Sequence, residues 1–464
     1  VLTAVRQSAA EDATLDHYFA QLREREFARL DQSGLAYLDY TGSAVPAARQ
    51  LSAQNEILSS WTFGNPHADS GPSRRSTAAL DAARALLLTH LDADESEYTV
   101  CFTANATGAI KLVAESYPFA PSGVYALSAD NHNSLNGVRE YARRSGARVV
   151  YLPVDDELRL DGATAALLQL SEAAGPKLFA FPAQSNFSGV RHPLHLIDDA
   201  HTAGFDVLLD AAAFLPSRAL SLRQYRPAFV VLSFYKLFGI PTGLGALVAR
   251  RDALASLRRP WFAGGTVQYV SVQNDRYALA ADVLGFEDGT PHFHGAAALP
   301  SGFALLAEVG MHRLSARVTR LTALLLEGLG ALRHANGACA TRVYGPQSVD
   351  GRGGTIAFNI VRRDGRVVPY SLVEERARSR GVALRGGCFC NPGAAERAFG
   401  FDVRAAARCL DLSERDGIFT IERFAACLDP DRRQGVGAVR ASLGMATNVD
   451  DLRRAIDVVS SFLE

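Results

Sequence analysis

A lysine stands where a strand-like apolar run gives way to an aromatic, glycine-bounded turn, Val230-Val-Leu-Ser-Phe-Tyr-Lys-Leu-Phe-Gly239. A lysine in partly apolar surroundings has a depressed pKa and can act as a nucleophile or form an imine. Upstream, Phe205-Asp-Val-Leu-Leu-Asp210 ends an apolar run on a carboxylate. Asp210 can pair with a protonated pyridine nitrogen, which makes such a ring a better electron sink. A third segment, Phe102-Thr-Ala-Asn-Ala-Thr-Gly-Ala-Ile110, runs from a strand into small residues and a helix start. Backbone N–H groups there, with the Thr107 hydroxyl, can hold a phosphate at the positive end of the helix dipole. His132, in Asp130-Asn-His-Asn-Ser134, follows another strand end and can stack on a planar ring.

The fourth feature is Leu384-Arg-Gly-Gly-Cys-Phe-Cys-Asn-Pro-Gly393. Cys-x-Cys in a Gly-rich loop points to a flexible, partly exposed thiol, and Arg385 beside it favours the thiolate. A zinc site would need two further ligands, and no second Cys-x2-Cys or His-x3-His pair supplies them. Each feature alone also fits a structural role. Lys236 can snorkel from a strand end, Asp210 can cap a helix, and His132 can be a core histidine.

The elements that would position these groups alternate. Apolar runs at 98–102, 123–127, 148–152, 177–182, 205–209, 228–232 and 244–248 are separated by helical segments such as 106–116, 134–145 and 193–203. That alternation predicts an α/β fold with a mostly parallel seven-stranded sheet and right-handed crossovers. Ligands of such sheets bind at the carboxyl ends of the strands. Helices are expected at 10–32, at 74–92 with Ser73 as cap, and over 300–335, and a short strand at 35–38. Residues 252–298 read as an irregular connector. Residues 340–464 mix short strands (355–361, 437–442) with helices (369–380, 448–463), as in a smaller α+β domain. The expected division is an N-terminal segment 1–45 packing with the small domain, a large domain 46–298 and a small C-terminal domain 299–464.

Composition sets outer bounds. The chain has 464 residues, 48% of them hydrophobic, and a net charge of −1, so no electrostatic feature points to nucleic acid or an anionic membrane. No apolar stretch approaches the ~20 residues of a membrane span, and the first residues lack a secretory hydrophobic region. Six cysteines are too few for a disulfide scaffold at this length. Their pattern predicts a reducing, cytoplasmic compartment with one reactive thiol.

In this order the motifs resemble the class V aminotransferase and cysteine desulfurase family of fold type I enzymes, which use pyridoxal 5'-phosphate (PLP). Within it they resemble the desulfurase-like domain of molybdenum cofactor sulfurases. The phrases that carry the resemblance are Pro182-Ala-Gln-Ser-Asn-Phe-Ser-Gly189, Ser233-Phe-Tyr-Lys-Leu-Phe-Gly239 with Pro241-Thr-Gly-Leu-Gly245, Phe286-Glu-Asp-Gly-Thr290 and Arg385-Gly-Gly-Cys-Phe-Cys-Asn-Pro-Gly393. Ala213 and Tyr235 stand where desulfurases often carry Gln and His, changes shared with the sulfurase branch. Ala395 stands where the sulfurase loop has a further cysteine. The C-terminal molybdenum-cofactor-binding domain of full sulfurases has no counterpart expected here.

The resemblance implies a role for each site residue. Lys236 carries the Schiff base and moves the Cα proton. Asp210 binds the pyridine nitrogen, His132 stacks on the ring, and Tyr235 belongs to the cofactor site. Asn186 lies by the ring hydroxyl and the substrate carboxylate. Ala106, Thr107 and Ser233 surround the phosphate, and Thr290 reaches it from the other subunit of a homodimer. Arg385 and Arg440 hold the substrate carboxylate through paired hydrogen bonds. Cys390 forms the persulfide, and Cys388 is the extra cysteine of the sulfurase branch. The implied reaction converts L-cysteine to L-alanine and passes sulfur to an acceptor, with molybdenum cofactor one candidate. Alternatives are a PLP-dependent aminotransferase or lyase acting on another amino acid or metabolite, and a catalytically silent binding partner.

Overall fold

Burial explains the large sheet. In the computed structural model, which describes residues 2–431, 433 and 435–464, a helix over Leu2–Gln32 leads into a two-residue strand β1 (Ala36–Tyr37). All seven expected strands then appear. They are β2 (Tyr98–Thr103), β3 (Val124–Ser128), β4 (Arg148–Leu152), β5 (Lys177–Pro182), β6 (Asp206–Asp210), β7 (Phe229–Ser233) and β8 (Gly245–Arg250). They form one sheet in the order β2-β8-β7-β6-β5-β3-β4. Only β8 runs against its neighbours. Val207, Leu208 and Leu209 of β6 have no exposed surface, because helices cover both faces. Each such side chain contributes about 1.5–3 kcal/mol on burial. The carboxyl ends of β3, β5, β6 and β7 bring Ser128, Pro182, Asp210 and Ser233 to one edge.

The 252–298 segment departs from expectation. It contains the antiparallel hairpin β9 (Val267–Ser271) with β10 (Arg276–Leu279). The long helix expected over 300–335 is two helices, Phe293–Val309 and Met311–Ala331, broken at Gly310 with φ +78. The helix expected from 74 starts at Gly71, and its cap is Ser70, whose side chain accepts from Ser73 N.

The C-terminal part holds a four-stranded antiparallel sheet, order β11-β12-β15-β14. Its strands are β11 (Thr341–Tyr344), β12 (Thr355–Ile360), β14 (Arg385–Gly387) and β15 (Ala438–Ser442), and β13 (Val382–Ala383) pairs separately with β1. Asp39, just past β1, bridges to Ser442 of β15, so the N-terminal segment lies beside this sheet. Between β14 and β15 stand three helices that periodicity did not reveal: Pro392–Phe399, Val403–Asp416 and Ile421–Leu428. A disulfide, Cys409–Cys427, staples the last two, contrary to the expectation of reduced thiols. No described helix is long and apolar enough to cross a membrane.

Candidate active site

Lys236 lies in a single helical turn, Phe234–Phe238, that begins directly after β7. Gly239 ends the turn at φ +92, and a Cβ there would strike Pro46. The tight approach, with Ala44 N donating to Tyr235 O at 3.1 Å, ties the segment after β1 to the lysine turn. Lys236 opens into a cavity of about 140 Å³ lined by Ala106, Thr107, His132, Ser134, Gln184, Asn186, Asp210, Ser233 and Tyr235, among others. Burial pulls its pKa down to about 8; Asp210 opposes this, and Arg440 and Arg385 reinforce it.

Each wall is built locally. The helix Ala106–Ser116 is capped by Asn105, whose side chain accepts from Gly108 N. First-turn N–H groups of a helix attract anions, and of these Gly108 N is already taken by the cap. Ala106 N donates to Ser233 Oγ at 2.9 Å, and Thr107 and Ser134 share a 2.8 Å hydroxyl contact at the same mouth. His132 caps the helix Asn133–Arg144 by accepting from Ser134 N at Nδ1. Burial lowers its pKa, which favours the neutral ring. Asp210 closes β6, and its Oδ1 accepts from Ala212 N at 3.0 Å. The phenol of Tyr235 has its pKa raised by burial, offset by a hydrogen bond with Ser233.

Asn186 joins this cavity to the cysteine loop. Lys236 Nζ donates to Asn186 Oδ1 at 3.2 Å, and Asn186 Nδ2 donates to Phe389 O at 2.6 Å. Phe389 and Cys390 both take positive φ, +55 and +56. Left-handed non-glycine residues cost about 1 kcal/mol or more each unless the surroundings hold them. Here they do: Asn133 N donates to Cys390 O at 2.7 Å, and Arg440 stacks over the Phe389 ring at 4.7 Å. Cys390 is exposed and lies near enough to Lys236, Arg385 and Arg440 to interact electrostatically with each. Cys388 points elsewhere. Its Sγ contacts Val436 O at 3.4 Å, and burial pushes its pKa up to about 11.

The structure thus brings Lys236, Asp210, His132, Asn186, Ala106, Thr107, Ser233 and Tyr235 into one cavity. It sets Cys390 beside it. Thr290 is placed differently, exposed and outside this cavity, 3.4 Å from Asn65 Nδ2. Arg385 and Arg440 lie at the site, but their guanidinium groups both meet Asp39. Asp39, one residue past the strand expected at 35–38, carried no sequence signal of this role. Asp130, a buried carboxylate that accepts from Asn391, Ser185 and His192, carried none either. Among the described residues no cluster of His, Cys, Asp and Glu is placed to hold a metal ion.

This arrangement agrees with comparisons to known proteins. The profile described as Aminotransferase class-V matches residues 36–454. The chain belongs to the class-V aminotransferase family. Its curated relatives include the molybdenum cofactor sulfurase of Arabidopsis thaliana, 34% identical over 95% of this chain and 58% of that protein. The human molybdenum cofactor sulfurase is 33% identical over 93% of this chain and 50% of its own. The chain therefore spans between half and 58% of the length of these relatives.

The fold of this family member is that of the cysteine desulfurases. A cysteine desulfurase from Thermococcus onnurineus NA1 superposes with TM-score 0.77 and 21% identity, covering 96% of this chain and 98% of that one. A C-DES mutant with glycine covalently linked to its PLP cofactor superposes with TM-score 0.70 and 15% identity, covering 95% and 99%. The expected fold type I architecture, with a mostly parallel seven-stranded sheet and a smaller α+β part, is borne out.

Proposed function

We propose that this chain is a PLP-dependent cysteine desulfurase that places the sulfur of L-cysteine on Cys390. One observation carries the reading: a single cavity holds Lys236 and Asp210, and Asn186 ties it to the loop that presents Cys390. The residues fit the cofactor. Lys236 offers an amine with a lowered pKa, Asp210 an anion for the ring nitrogen, and the helix start at Ala106 with Thr107, Ser134 and Ser233 a phosphate cradle. Gln184 is a further polar residue of the cavity wall, and its Oε1 is buried without a partner. When bound, PLP supplies an electron sink for the charge that develops at the substrate Cα.

The chain's own groups do the rest. His132, its pKa lowered by burial, would pack against the ring face. Lys236, as free amine, takes the proton from Cα and returns a proton to the carbon skeleton. The Cys390 thiolate attacks the substrate sulfur. The new S–S bond forms as the C–S bond breaks, and the electron pair left on carbon is protonated to give alanine. One sulfur atom then rests on Cys390 as a persulfide, ready for a small-molecule or protein acceptor. Molybdenum cofactor is the acceptor suggested by the sulfurase relatives. The reading includes a homodimer in which Thr290 of one protomer reaches the phosphate of the other. Exposed aromatic side chains, Trp61, Trp261, Phe262 and Tyr269 among them, are apolar surface that a second copy could bury.

The test is release of alanine and sulfide from L-cysteine with a reductant present. Equal amounts of both are expected, lost in Cys390→Ser. Unchanged release in that variant would overturn the persulfide role. A keto-acid product in place of alanine would move the reading to transamination.

A further inference from the structure

We infer that Asp39 is a positioning and specificity residue, an internal counter-ion that sets the two arginines to receive a single carboxylate. The inference rests on the reading of Arg385 and Arg440 as the substrate's carboxylate holders. Arg385 and Arg440 face each other directly across β14 and β15. Two like charges opposed on neighbouring strands repel, and here one of them, Arg440, has a side chain only 1% exposed. A buried guanidinium needs a partner.

Asp39 is that partner for both. Arg385 donates from Nε to Oδ2 at 2.9 Å and from Nη2 to Oδ2 at 2.7 Å. Arg440 Nη2 donates to Oδ1 at 2.9 Å. The carboxylate is fixed from behind, because its backbone bridges to Ser442 and its carbonyl accepts from Gly42 N and Ser43 N. Gly42 leaves the space, since a Cβ there would lie 2.6 Å from both Arg385 Nη2 and Asp39 Oδ2.

The charge count follows. Two guanidinium groups against one carboxylate leave one positive charge unbalanced, matching the single carboxylate of an α-amino acid. Donors also remain: Arg440 Nε is buried and unpartnered. Arg440 is held a second time by Nη1 donating to Asn186 O at 2.8 Å. Arg385, 49% exposed, depends on Asp39 for its orientation. Asp39 therefore keeps the exposed arginine aimed at the site before substrate arrives, and less ordering cost falls on binding.

The experiment uses the PLP-loaded protein and calorimetric titration with L-alanine and with L-alaninol, which lacks the carboxylate. Asp39→Asn is expected to weaken L-alanine binding about tenfold or more, the scale of a lost charge-assisted hydrogen bond, with alaninol binding unchanged. KM for L-cysteine is expected to rise similarly with kcat little altered. Asp39→Asn added to Arg385→Ala is expected to cost less than the sum of the two single effects, because part of what Asp39 does is done through Arg385. Equal losses for alanine and alaninol, or additive effects in the double variant, would overturn the inference. Should Asp39→Asn not fold, Asp39→Glu decides: it keeps the charge but moves it by one methylene, and it must weaken alanine and spare alaninol. Binding is read apart from turnover. A wild type that releases no sulfide would therefore defeat the desulfurase reading while the selective loss of carboxylate affinity still upheld Asp39.

Discussion

The side-chain amide of Asn391 donates to Asp130 Oδ1 at 2.7 Å, and both groups are buried. Asp130 is held in turn by Ser185 Oγ at 2.8 Å and by His192 Nε2 at 2.8 Å. The residue after Cys390 is thereby fastened to the loop that follows β3, while Asn133 holds Cys390 itself. Truncating Asn391 to alanine leaves the Asp130 oxygen short of a partner and frees the strained loop. Stability is expected to fall by about 1–3 kcal/mol. Alkylation of Cys390 should speed up as the loop loosens, with PLP still bound. Unchanged urea midpoint and unchanged alkylation rate would contradict the clamp.

The lowered pKa of Lys236 gives a pH signature. Below about 8 the amine is protonated and cannot attack an aldehyde; above it the free amine dominates. Uptake of PLP by the apoprotein should rise with pH through an inflection near 8. An ordinary lysine would place that inflection near 10.5. The linkage has a definite sign. The unfolded lysine binds more protons between those values, so this residue makes apoprotein stability rise with pH across that window.

The two loop cysteines should react differently. Cys390 is exposed, whereas Cys388 is part-buried with its pKa raised to about 11 by burial. At pH 8 Cys388 is a protonated thiol and a poor nucleophile. Brief iodoacetamide treatment followed by peptide mapping should label Cys390 well ahead of Cys388. Comparable labelling of the two would show that the loop does not hold Cys388 against Val436.

Local signals carried much of this far, and their reach explains what was legible. Most strands of the large sheet stood out as short apolar runs buried on both faces, while the edge strand β4, with Arg148 and Tyr151 exposed, was legible only from its Val149-Val-Tyr-Leu152 run. Lys236 and Asp210 were readable because each ends such a run. Asp39 was not readable as a functional residue, because its partner Arg385 is 346 positions away. Nor was the Asn391–Asp130 contact, which spans 261. Such contacts exist only once the chain has folded. The β9 and β10 hairpin was hidden by Gly- and Pro-rich flanks and by outward-facing residues such as Tyr269 and Val272 that break the usual alternation. The split at Gly310 escaped because both helices are apolar enough to read as one. The Cys409–Cys427 pair lies on two successive helices whose approach no sequence spacing announces.

The central claim is that one amine, Lys236, holds the cofactor, and borohydride reduction of the PLP-loaded protein tests it most directly. Reduction should fix the cofactor irreversibly to the protein, and peptide mass mapping should find the adduct on Lys236, absent in Lys236→Ala. An adduct on another lysine, or a protein that binds PLP yet yields no reduced adduct, would contradict the account.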